Sequence, residues 1–129
     1  MVKNELPSSH EIPPGSLISA TLIRLTGEDK LPDFMSYVQS VTEQLRETPG
    51  MLYFDTHRSN PTHYLTCSIW TDQAAMEAFL NSGNHAEAMK NVRTIADRTF
   101  SHHWQGGCIP TWGEVITKLN EAMRTRRRI

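Results

Sequence analysis

The sequence predicts an α+β fold of the ferredoxin-like kind, β-α-β-β-α-β with one extra C-terminal helix. Three observations carry that prediction. Four segments read as strands, and "SLISATLIRL" and "HYLTCSIW" alternate cleanly with a period of two. Between and after the strands the apolar residues switch to three- and four-residue steps, the period of a helix. A chain of 129 residues with 38% hydrophobic and 21% charged residues then suits one packed core. The predicted organisation is a flexible leader over residues 1–15 and a single domain over 16–129.

Strand 16–25 sets Ile18, Ala20 and Leu22 on one face and Ser19, Thr21 and Ile23 on the other, and ends at "TGEDK". "LPDFMSYVQSVTEQLRE" repeats Phe34, Met35, Val38, Val41 and Leu45 as a helical stripe, stopped by "TPG". "MLYFDTHRS" and "HYLTCSIW" read as a hairpin joined at "NPT". In the second of these, His63, Leu65, Cys67 and Ile69 oppose Tyr64, Thr66, Ser68 and Trp70. Asp72 is placed to cap the next helix, whose apolar face is Ala75, Met76 and Phe79. "NSGN" interrupts it, and Asn84 with Glu87 has the spacing of a capping box for its continuation. "TFSHHWQGG" is the fourth strand, bending at Gly106–Gly107. The last helix starts behind Pro110 with the Thr111/Glu114 pair, and its stripe is Trp112, Val115, Ile116, Leu119 and Met123.

Composition excludes several functions. With 13 Lys and Arg against 14 Asp and Glu, no general nucleic-acid surface is expected. "RTRRR" at 124–128 reads as a solvated helix end that suits the negative pole of a helix. No stretch approaches the ~20 apolar residues of a membrane span. The first residues lack the apolar centre of a signal peptide. Cys67 and Cys108 stand far apart, so reduced thiols and a cytoplasmic location are the expectation.

Two helices cover only one face of a four-stranded sheet, so something else must bury the other face. The mixed face of Tyr64, Thr66, Ser68 and Trp70 suits a cavity, or a sheet packed on a second subunit, and a homodimer is expected.

"FSHHWQGG" places His102 beside His103, which invites a shared metal. Successive strand side chains point to opposite faces, so the two cannot chelate together. His102 goes with Phe100 and Trp104, His103 with Ser101 and Gln105; which of the pair faces a cavity is open. His85, just after the helix break, shares a face with Met89 and Val92 and is the stronger candidate for chemistry. No metal site is expected, since no two histidines stand four apart and no Cys/His cluster has ligand spacing. G-x-S-x-G, Walker and G-x-G-x-x-G motifs are also missing. Cys67 reads as a small buried apolar residue.

"SIWTDQAAMEAFLNSGNHAEAMKNVR" (68–93) resembles the antibiotic-biosynthesis-monooxygenase-like superfamily. The "AMEAF…G-x-HAEAM" spacing with "PTWGEVITKL" is also similar to an uncharacterised branch related to spheroidene monooxygenase. The resemblance covers about residues 16–119. It implies a dimeric α+β barrel with Trp70 and His85 bordering a cavity between sheet and helices. The superfamily includes cofactor-independent oxygenases of aromatic polyketides, heme-degrading monooxygenases and proteins with no shown activity. "EAMKNVR" is similar to the helix that bears the iron-ligating histidine of the heme branch, but Met89 occupies that position. The first strand also lacks the asparagine expected in that cavity. Cofactor-free chemistry is therefore the expectation, with heme as the lesser reading.

The functional expectation is a small monooxygenase-like protein that oxidises or binds an aromatic or polyene-like molecule. His85 would act as base and Trp70 as stacking wall, with Tyr64, His102 and Trp104 as further binding residues. The alternative is a non-enzymatic dimer, binding a hydrophobic ligand or related to stress.

Overall fold

The computed structural model describes residues 11–81 and 83–127. Its elements follow the expected order: β1 (Glu11–Leu25), α1 (Leu31–Arg46), β2 (Met51–Asn60), β3 (His63–Trp70), α2 (Gln73–Leu80), α3 (Gly83–Asn91), β4 (Ala96–Cys108) and α4 (Trp112–Arg127). The sheet is antiparallel throughout, in the order β2-β3-β1-β4. Among the described residues no helix is long and apolar enough to cross a membrane.

β1 begins five residues earlier than its alternation suggested. Pro13 and Pro14 break the hydrogen-bond ladder, and a register shift between Glu11 and Ser16 absorbs them, with Gly15 at φ +79°. Glu11 then pairs with Cys108, and Ile12 is buried in the core. Residues 11–15 are thus strand, and the rest of the expected leader, 1–10, lies outside the described residues.

The helices meet the sheet mostly as their stripes predict. On α1, Phe34 and Leu45 are buried, with Val38 and Val41 packed beside them. Met35 is a correction: one helical step off that line, it is 44% exposed, and Tyr37 takes the packing position. Gly50 closes the turn into β2 at φ +85°, where a Cβ would fall 2.6 Å from that of Ala75. Asp72 caps α2 by accepting the Ala75 N–H at 2.8 Å. α3 starts at Gly83, so Asn84, expected as its cap, lies inside the helix. The Thr111/Glu114 capping box of α4 is formed, with both hydrogen bonds at 3.1 Å.

α4 changes the account of the second sheet face. Register puts Ile18, Ala20, Leu65, Cys67 and Ile69 on one side, where they form a single buried cluster with Ile12, Val115 and Leu119. The helix crosses the strands from edge to edge. Trp112 stacks on His57 of β2 at 5.2 Å, and the Met123 sulfur meets Arg98 of β4 at 3.1 Å. Ile116, expected in the stripe, points outward at 38% exposure among polar neighbours. The chain covers this face itself, so an uncovered sheet no longer argues for a second subunit. Arg124 is exposed near the end of α4, whereas Arg128 lies outside the described residues.

Candidate functional site

The opposite face, under α1, α2 and α3, is the mixed one. Its two ends are apolar. Leu17, Leu45, Trp70, Met76 and Phe79 close one end; Leu25, Phe34, Tyr64, Ile95 and Ala96 close the other. Between them the register lines up two polar rows across the sheet. Thr56, Thr66, Thr21 and Ser101 form one; Ser68, Ser19 and His103 belong to the next. These residues are half-buried on β1, β2 and β3 and exposed on β4. Thr21 and Ser101 share a hydrogen bond of 2.8 Å, and Ser68 accepts the Trp70 indole N–H at 2.9 Å. Among the described residues the hydroxyls of Ser19, Thr56 and Thr66 have no protein partner. Half-buried hydroxyls without partners are satisfied by water or by a ligand, so this side is wet in its middle.

His85 stands on the same side, in the first turn of α3. Its ring lies 4.9 Å from Phe79, and Phe79 lies 5.2 Å from Trp70, which makes a continuous aromatic run from sheet to helix. The Nδ1–H donates to the Leu80 carbonyl at 3.3 Å. That contact fixes the tautomer, because a carbonyl can only accept, and leaves the Nε2 lone pair free. Nε2 has no partner among the described residues. Burial lowers the pKa of His85 below its ordinary value, opposed in part by the Leu80 carbonyl. A neutral imidazole with a free nitrogen can take a proton near neutral pH. A surface depression of about 800 Å³ lies near it, lined by Gln44, Glu47, Asp72, Ala75, Phe79 and Gly83 among others; it shares Phe79 and Gln44 with the surroundings of His85, but His85 itself does not line it.

Only part of the expected residue set converges here. Trp70 is near His85, but at 1% exposure it supports Phe79 from behind and presents no open stacking face. Tyr64 shares its sheet face but stands six residues along β3, about 20 Å away. There it packs on Phe34 at 4.6 Å under the Arg58 guanidinium. His102 and Trp104 are opposite Ala20 and Ile18, on the α4 side, so the sheet itself separates them from His85. Their rings stack at 5.9 Å, and Lys118 lies over Trp104. They cannot line one cavity with His85. Of the adjacent pair, it is the exposed His103 that lies on the helix side.

Two residues near His85 were not singled out from the sequence. The sequence marks Phe79 as a packing residue of the α2 face, and Gln44 gives no signal because its contact with His85 spans 41 residues. Among the described residues no group of three or more His, Cys, Asp or Glu could hold a metal ion. Met89, expected on the His85 face, is half-exposed.

Comparison with known proteins agrees with this architecture. A family model described as antibiotic biosynthesis monooxygenase matches residues 20–91. A conserved protein from Methanosarcina mazei Go1 is 15% identical, with a TM-score of 0.67 over 71% of this chain and 93% of its own. A protein of unknown function from Nitrosomonas europaea is 14% identical, with a TM-score of 0.64 over 75% and 96%. SnoaB, a cofactor-independent oxygenase from Streptomyces nogalater, is 16% identical, with a TM-score of 0.58 over 75% and 96%. Comparison with curated proteins gave no match. At such identities the likeness establishes the fold. The three neighbours are covered almost whole, whereas about a quarter of this chain extends beyond them.

Proposed function

The chain belongs to the antibiotic biosynthesis monooxygenase family, and from that premise we propose that it acts on an aromatic or polyene-like small molecule on the helix-covered side of its sheet. The proposed activity is a cofactor-independent monooxygenation with His85 as the base. The observation that carries it is the His85 imidazole, its pKa lowered by burial and its Nε2 without a partner among the described residues, on the helix side of the sheet.

The chemistry needs little from the protein beyond that base. Nε2 would remove a proton from an activated ring carbon, a methylene flanked by aromatic or carbonyl groups. The resulting carbanion reduces oxygen and bonds to it as a peroxide. The proton returns to the peroxide, and loss of water leaves a carbonyl where the methylene stood. One molecule of oxygen is consumed, and the substrate supplies all the electrons. Phe79, backed by Trp70, would offer an apolar contact for the ring, and the polar rows would meet its oxygen substituents.

A cytoplasmic setting belongs to the same proposal, supported by the free thiols of Cys67 and Cys108. The homodimer now rests on the family resemblance alone, because α4 covers the face that first suggested it. A second reading, binding without turnover, is favoured by one feature. His85 is oriented by a backbone carbonyl, with no carboxylate partner among the described residues to stabilise an imidazolium.

The test is oxygen uptake with hydroxyaryl compounds carrying an activated methylene. His85→Ala is expected to lose about 100-fold or more of the rate, the usual contribution of a general base. Full activity in that variant would remove His85 as the base. Tight retention of the compound with no oxygen uptake by the unaltered protein would select the binding reading.

A further inference from the structure

We propose that Gln44 is a positioning residue whose side-chain amide latches the break between α2 and α3 and so fixes where the His85 imidazole points. The proposal builds on the reading of His85 as the functional histidine and names the residue that orients it.

Helix ends leave backbone groups without intrahelical partners, and the α2–α3 break brings two such ends together. Gln44, reaching across from α1, serves both. Its Oε1 accepts the His85 backbone N–H at 2.7 Å, and its Nε2 donates to the Phe79 carbonyl at 3.4 Å. The neighbouring Glu77 carbonyl is already occupied by the Asn81 side chain at 2.9 Å. One primary amide therefore satisfies a donor on α3 and an acceptor on α2. The task needs one donor and one acceptor on a fork of this reach: glutamate lacks the donor, and methionine has only a weak acceptor sulfur.

Gly83 completes the latch. It is the first residue of α3, at φ +58°, and a Cβ there would come within 3.0–3.2 Å of the Gln44 amide. The glycine both turns the chain and leaves room for the amide. Among the described residues the imidazole meets the α2 side, at Phe79 and the Leu80 carbonyl, although its backbone belongs to α3. Its orientation therefore depends on the angle between the two helices, which Gln44 holds. Burial sets its proton affinity, and no charged side chain of α1, α2 or β3 contributes to that shift among the described residues.

The test uses two NMR readouts that require no substrate. In Gln44→Met, which keeps length but removes the fork, exchange of the His85 amide should accelerate about tenfold. The His85 imidazole should also titrate at higher pH, nearer its ordinary value, as the ring becomes solvated. Gln44→Glu keeps the acceptor and should hold the His85 amide at the unaltered exchange rate. Should Gln44→Met fail to fold, Gln44→Asn, one methylene too short for both contacts, should give the same two changes. Unchanged titration and unchanged exchange in a folded Gln44→Met or Gln44→Asn would overturn the latch. That result would leave His85 as the base untouched, whereas full oxygen uptake in His85→Ala would remove the base and leave the latch standing.

Discussion

The two faces of this sheet are built from the same four strands and do different work. On the α4 side the centre is apolar: Ile18, Ala20, Leu65, Cys67 and Ile69 meet Val115 and Leu119, and the half-buried Asp55 and His102 stand at the two ends of the Cys67 row. Burial, assisted by the neighbouring Asp55 carboxylate, pushes the Cys67 thiol there up to about 12. On the helix side, apolar packing is confined to the two ends and hydroxyls fill the middle. Packed cores avoid half-buried hydroxyls without partners, so a face that carries several of them is shaped for contact with something else. The comparison assigns stability to the α4 side and leaves the helix side as the place of the proposed chemistry.

The largest effect that tests this division is on stability. Leu119→Ala, at a position 2% exposed, should cost about 2–5 kcal/mol in denaturant unfolding. Its counterpart on the wet side, Thr66→Val, keeps the side-chain shape and should cost under about 1 kcal/mol. Equal losses for the two would erase the contrast between the faces.

A smaller effect concerns pH. Because the folded state lowers the pKa of His85, the unfolded chain binds its proton more readily. The contribution is fully present above the unfolded value of about 6.5. It is lost progressively as pH falls toward the lower folded value. Stability curves of the unaltered protein and His85→Gln should therefore run parallel above about 6.5 and diverge as pH falls from there toward the lower folded value. Parallel curves across the whole range would show that His85 is not held neutral.

Much of this fold was legible because periodicity is a strong signal. Every strand and helix appeared in the predicted order, and the parity argument separated His102 from His103 correctly. What parity cannot give is the side on which each helix packs. α4 was visible as an amphipathic helix, but nothing local says that its Val115/Leu119 stripe covers Cys67 rather than Ser68. The expected site therefore combined residues from both faces. Tyr64 failed for a simpler reason: it shares a face with Trp70, but strand rise over six residues already puts the two at opposite ends. Gln44 lay beyond any local pattern, because its partners come from elements more than thirty residues downstream. The early start of β1 was hidden by Pro13 and Pro14, which read as a leader until the bulge shows how a strand accommodates them.

The protein carries its own reporters for the central claim, because its three tryptophans divide between the faces. Trp70 belongs to the helix side; Trp104 and Trp112 pack with the α4 side. An NMR titration of the three indole N–H signals with a hydroxyaryl ligand reads the two faces separately. A ligand on the helix side should shift the Trp70 signal and leave Trp104 and Trp112 in place. Shifts at Trp104 and Trp112 with Trp70 unmoved would put the ligand under α4 and contradict the account.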